Sequence, residues 1–182
     1  MKQSIFKFTL LFIILLAGCQ SDLYTKRLVT EQLKSAASVT IIDGFLEFAY
    51  TENRGMVFGI MDERASGIQH YVLTGVTIVA IGFLIFVIWR MRQMGFLYHL
   101  PFFLILSGAL GNLINRLFYG SVVDFIHIYW HNMLDWPYLF NVADVWICIG
   151  GVYLAILVLF KKDILEQTIF PTSKPVVAEI AE

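Results

Sequence analysis

The sequence predicts a membrane all-α bundle of four transmembrane helices with a small extracytoplasmic β-sheet. Two observations predict the bundle. Of the 182 residues, 58% are hydrophobic and only 15% are charged, whereas soluble domains carry about 25% charged residues. Long apolar runs also recur along the chain, and a helix needs about 20 such residues to cross a ~30 Å hydrocarbon core. A third observation predicts the sheet: two short β-rich segments flank a turn between the first two runs.

The first run, 5–21, is the shortest and has Lys7 near its start. The second and third lie within 65–89 and 93–115, and neither contains a charged residue. The fourth, 139–160, contains one acid, Asp144. The expected spans are therefore about 5–21, 68–89, 95–116 and 139–160. They leave outer segments 22–67 and 117–138, a membrane domain over 1–165 and a disordered cytoplasmic tail over 166–182. Lys2 and Lys7 lie at the N-terminal end of the first span, Arg90 and Arg92 separate the second from the third, and Lys161, Lys162 and Lys174 follow the last. With four spans these positions share one side, which the positive-inside rule makes cytoplasmic, with both termini inside.

In the first outer segment, Val39-Thr40-Ile41-Ile42 and Phe45 to Tyr50 flank Asp43-Gly44, which is a hairpin pattern. A short interfacial helix is expected over 62–69. In the second, Tyr129, Trp130, Trp136 and Tyr138 suit an aromatic belt in a loop at headgroup level. Cys19 and Cys148 both lie in apolar runs and read as packed or membrane-facing thiols. The formal net charge of −1 gives no reason to expect a nucleic-acid partner. The first run also has a second reading. Lys2, Lys7, an apolar stretch and Leu16-Ala17-Gly18-Cys19 form a lipoprotein signal ending in a lipobox. The four-span charge pattern favours an uncleaved anchor.

Ionisable residues within a membrane are costly and usually functional. Sixteen uncharged residues separate Asp144 from Lys161, about 24 Å of helix at ~1.5 Å each, so Asp144 lies just below the outer boundary. Asn141 is one turn away. A carboxylate favoured by the helix dipole would explain Asp144 alone. Asn112 and Arg116 share a helix face at the same depth, with Asn115 beside them. Arg116 alone could simply snorkel to headgroups. Asp124 lies just past the third span, between apolar residues. Two close carboxylates share a proton, which suits acid–base peptide hydrolysis. His127 and His131 have helical spacing but sit among aromatics, and no zinc, nucleophile-elbow or phosphate-loop motif occurs, so neither a metal nor a cofactor is expected.

With those residues in place, the chain resembles the bacterial lipoprotein signal peptidases (signal peptidase II) to about residue 160. Asp22-Leu23-Tyr24-Thr25-Lys26 is similar to their D-Q-x-T-K segment, and Asn53-Arg54-Gly55-Met56-Val57-Phe58 to N-x-G-x-x-F. Gly111-Asn112 with Arg116 is similar to G-N-x-x-D-R, Val123-Asp124-Phe125 to V-x-D-F, and Phe140 to Asp144 to F-N-x-A-D. The resemblance implies an aspartic endopeptidase without metal that cuts prolipoproteins before a diacylglyceryl-modified cysteine. It also implies contact with membrane lipids and inhibition by the cyclic peptide globomycin. It makes Asp124 and Asp144 the catalytic pair, with Asn112, Arg116 and Asn141 lining the site and Asp22, Lys26, Asn53 and Gly55 supporting the substrate end. Two positions depart from the pattern: Asn115 stands for Asp, and Leu23 for Gln. The departures leave room for a divergent paralogue of altered activity. A small ion- or proton-coupled transporter is the alternative from another class, and it would place its polar groups near mid-membrane.

Overall fold

The structure is a computed structural model and describes residues 2–35, 38–54, 66–130, 134–135 and 138–169. Four helices, α1 (Lys2–Leu33), α2 (Ser66–Arg90), α3 (Phe96–Tyr119) and α4 (Val142–Ile169), are long and apolar enough to cross a membrane. A four-stranded antiparallel sheet in the order β1 (Val39–Ile42), β2 (Leu46–Asn53), β3 (Val122–Trp130), β4 (Leu134–Asp135) covers one end. The described residues thus have the expected architecture. Gly55, His131, Trp136, most of the expected 62–69 helix and residues 170–182 lie outside them.

α3 is the central post, packing on α1, α4 and α2. Its small residues make that possible. A Cβ on Gly108 would lie 2.2 Å from the Ala143 carbonyl oxygen, and one on Gly111 would lie 2.4 Å from Asp22 Oδ2. Without side chains there, the backbones of α1 and α4 come close. α3 stops at Gly120, whose φ of 71° is left-handed and whose N–H reaches Arg116 O at 3.0 Å.

Three expectations need correction. The first helix does not end near Asp22: α1 runs on to Leu33. Its 32 residues extend about 48 Å at ~1.5 Å each, well beyond the hydrocarbon thickness, and its far third supports the sheet. Polar residues permit this because their needs are met locally. The hydroxyls of Ser21, Thr25 and Thr30 donate to carbonyls three or four residues back, and Asp22 and Lys26 pair with each other. Next, the second outer segment is not a plain loop. Residues 122–130 form β3, paired with β2 from Leu46↔Ile128 to Asn53↔Val122. This strand places Glu47 opposite His127, whose Nδ1 lies 3.8 Å from Glu47 Oε2. His127 therefore has a cross-strand partner, not a helical one. Lastly, α4 remains helical through Ile169, past the expected boundary, with a break at Lys161 (φ −137°, ψ 27°).

The opposite end of the bundle is closed by Lys7, whose Nζ donates to the carbonyls of Arg92 (2.9 Å) and Met94 (2.8 Å) in the α2–α3 turn. α1 is continuous through the lipobox-like stretch and buries that stretch's last two residues, Gly18 and Cys19. Cys19 is buried, and a Cβ on Gly18 would lie 2.2 Å from Ser107 Oγ. Cleavage before Cys19 would remove the first half of α1, where Leu11 and Leu15 pack on Phe103 and Leu106 of α3. Mass spectrometry of the purified protein is therefore expected to give a chain that retains α1 and carries no lipid on Cys19. A chain beginning at lipidated Cys19 would refute this.

Candidate active site

The site forms where the sheet meets the helix ends, and Asn141 is its hinge. Phe140 first bonds to β3: its N–H reaches Ile126 O at 3.1 Å, and its carbonyl accepts from Ile126 N at 2.8 Å and Phe125 N at 3.0 Å. The chain then turns into α4. Asn141 Oδ1 accepts from Asp144 N at 3.1 Å, and Asp144 Oδ2 accepts from Asn141 N at 3.0 Å. This reciprocal pattern is a capping box. It starts the helix and fixes the Asp144 side chain in its first turn, where the helix dipole favours a negative charge. The dipole explanation and the site are therefore compatible.

Asn141 also reaches the other aspartate, its Nδ2 donating to Asp124 Oδ1. The second oxygen of Asp124 accepts from Asn53 Nδ2 at 3.0 Å. Asn53 sits opposite Val122, so Asp124 is its diagonal neighbour across the strands. The second oxygen of Asp144, Oδ1, accepts from Asn112 Nδ2 at 3.0 Å. One asparagine thus bonds both carboxylates, and two others, on β2 and α3, complete them. Burial pushes the Asp124 carboxyl up to about 6, the nearby Asp144 charge adds to this, and the Asn53 and Asn141 donors oppose it.

Behind Asp144 lies a buried chain of polar groups. Lys26 Nζ donates to Asp22 Oδ2 and to Asn112 Oδ1, both at 2.7 Å. Asp22 Oδ1 accepts from Ala143 N at 2.9 Å. Asp22 is fully buried and Lys26 nearly so. Of the expected site residues, Asp22, Lys26, Asn53, Asn112, Asp124, Asn141 and Asp144 form one connected network. Arg116 stands apart from it. Its Nη1 lies 3.4 Å from Thr77 Oγ1 on α2, within electrostatic reach of both aspartates. Asn115 touches neither aspartate. It is buried, with Nδ2 on Gly111 O at 3.3 Å in its own helix. It lines a cavity of about 600 Å³ that also meets Lys26, Arg27, Lys34, Glu52 and Val123.

Two contributors to the site are not among the residues expected from the sequence. The Phe140 bridge has no sequence pattern of its own. The capping box did have one, since Asn141-x-x-Asp144 is a polar cap followed three residues later by an acid. Among the described residues, no group of three or more His, Cys, Asp or Glu is arranged to hold a metal ion.

The chain is similar to known proteins of one family. The family model for signal peptidase (SPase) II matches residues 12–160. A lipoprotein signal peptidase of Pelodictyon phaeoclathratiforme is 37% identical over 174 residues, covering 91% of this chain and 95% of its own. One from Fusobacterium nucleatum is 35% identical over 157 residues, covering 84% and 83%. Two solved structures described as bacterial membrane enzymes align with TM-scores of 0.65 and 0.63, both at 24% identity. They cover 84% and 95% of this chain and 94% and 95% of their own, and they show the fold alone.

Proposed function

The chain belongs to the signal peptidase II family, and from that premise we propose that it removes signal peptides from prolipoproteins by cutting before a diacylglyceryl-modified cysteine. Asp124 and Asp144 are the catalytic pair. The observation that carries this assignment is Asn141, which bonds both carboxylates at once from the start of α4.

Asp144 takes the role of base. Its two oxygens accept N–H groups from Asn112 and Asn141 at a helix N-terminus. Asp124, pushed up to about 6, carries the shared proton. A water attacks the scissile carbonyl carbon as Asp144 takes its proton and Asp124 passes its own to the carbonyl oxygen. A neutral tetrahedral diol results. As the C–N bond breaks, Asp144 gives its proton to the departing cysteine nitrogen and Asp124 recovers one from the hydroxyl. The lipid on the cysteine supplies orientation by holding the bond at the membrane surface.

The enzyme lies in the bacterial cytoplasmic membrane as a multi-pass protein with both termini inside. The Lys7 bonds to the α2–α3 turn support that topology, because they put Lys2, Lys7, Arg90 and Arg92 at the end away from the sheet. α2 leans on α3 and hardly meets α4, which leaves a flank through which a lipid-anchored peptide reaches the dyad. Membrane lipids bathe that flank, and globomycin is expected to block processing. A mid-membrane ion path is not favoured, because the polar network gathers at the sheet end.

The activity should lose its acid as Asp124 deprotonates. We expect an alkaline limb in kcat/KM at about pH 6, with the limb in kcat lying higher because bound substrate excludes water. The same group links pH to stability. Its folded value of about 6 exceeds its ordinary 3.8, so its contribution is fully present below that ordinary value and is lost as pH rises through about 6. Thermal unfolding across this range should show wild type losing stability relative to Asp124→Asn. Parallel curves would contradict the assignment.

A further inference from the structure

A lysine and an aspartate buried side by side at the sheet end of α1 take no part in the chemistry above. We infer that Lys26 is a positioning residue: it fixes the orientation of the Asn112 amide, so that the NH2 group and not the carbonyl meets Asp144. This rests on the assignment of Asp144 to the dyad.

An asparagine amide has one donor end and one acceptor end of nearly equal shape. Which end faces Asp144 is decided by what holds the other. Lys26 has donors only, and one of them is spent on Asn112 Oδ1 at 2.7 Å. A flipped amide would set NH2 against the ammonium and the carbonyl against the carboxylate, so both contacts would repel. Lys26 is held in turn by Asp22 Oδ2 at 2.7 Å. The other Asp22 oxygen binds the N–H of Ala143, the residue before Asp144. The pair therefore acts on Asp144 from two directions, through the amide it orients and through the helix turn it holds.

A purely structural pair is the competing account. Buried ion pairs are poor stabilisers compared with apolar residues of the same size, so that account leaves the bond to Asn112 without a purpose. The two accounts separate in a pair of double variants. Asp22→Asn with Lys26→Gln keeps a neutral donor near Asn112. Asp22→Asn with Lys26→Met has similar volume and the same charge but no donor. Each is assayed in micelles for cleavage of a diacylglyceryl prolipoprotein peptide, beside thermal unfolding and Asp144→Asn. We expect kcat of the Met variant to fall on the order of 30-fold below that of the Gln variant, with KM nearly unchanged. Equal kcat values, or a difference confined to KM, would overturn the inference while an inactive Asp144→Asn leaves the dyad standing. An active Asp144→Asn would remove the dyad and this inference with it. Should either double variant fail to fold, Asn112→Asp tests the same point, since it keeps an oxygen for Lys26 but has no NH2 for Asp144. A kcat loss on the order of 100-fold supports the inference, and wild-type kcat overturns it.

Discussion

Asp124→Asn and Asp144→Asn are each expected to reduce processing of a lipidated prolipoprotein in membranes by roughly 10³-fold, while the protein still inserts. General acid and base roles are each worth about 10²–10⁴-fold, and here one water must be activated and one carbonyl protonated in concert. Insertion should persist because neither residue supplies apolar surface to a span. The losses should also fail to add in the double variant, since a pair that acts as a unit is lost with its first member. Accumulation of uncleaved precursor on immunoblots is the readout. Full cleavage by either single variant would end the dyad assignment.

Gly108→Ala is expected to have the next largest effect, although residue 108 touches no reacting atom. The new methyl would lie 2.2 Å from the Ala143 carbonyl oxygen and 2.9 Å from the Ile147 side chain. The first of these is backbone in the opening turn of α4, and it cannot rotate away. Relief requires α4 to move off α3. That movement costs about 1–3 kcal/mol as overpacking, and it carries Asp144 with it. A displacement near 1 Å can cost about 10²-fold in rate. Activity should therefore fall much further than thermal stability, with kcat taking the loss. By contrast, Gly151→Ala on α4 meets nothing within 4 Å, and it should behave as wild type. Equal effects of the two substitutions would contradict the packing argument.

How much was legible in the sequence depended on the range of the interaction. Spans were legible because apolar length is a local property, and the β1–β2 hairpin was legible because Asp43-Gly44 marks its own turn, with Gly44 at φ 72°. The helical extension of α1 beyond Asp22 was not. Asp22 and Lys26 look like the end of a membrane helix until α3 and α4 are seen to bury them. β3 was hidden for the same reason. Val122 to Trp130 carries aromatics that suit a surface loop, and only its pairing with β2, some 75 residues earlier, makes it a strand. In the site, depth and order were readable from the positions of Asp124 and Asp144. What joins them was not, because the Asn141 side chain serves a helix start and a distant strand at once.

The bond between Asp22 and the Ala143 amide joins residues 121 positions apart, and this has a consequence for timing. Ribosomes add roughly 5–20 residues per second, so Asp22 waits on the order of ten seconds for its partner. Throughout that interval the nascent chain has its first helix but not both members of the proposed pair. Asp144 arrives with α4 and Asn141 immediately before it, so the proposed pair cannot assemble until that helix has been made. Ser107, which closes over Gly18, arrives earlier than either. Gly18, in the chain's own Leu16-Ala17-Gly18-Cys19 stretch, thereby meets its neighbour on α3 before the proposed pair exists.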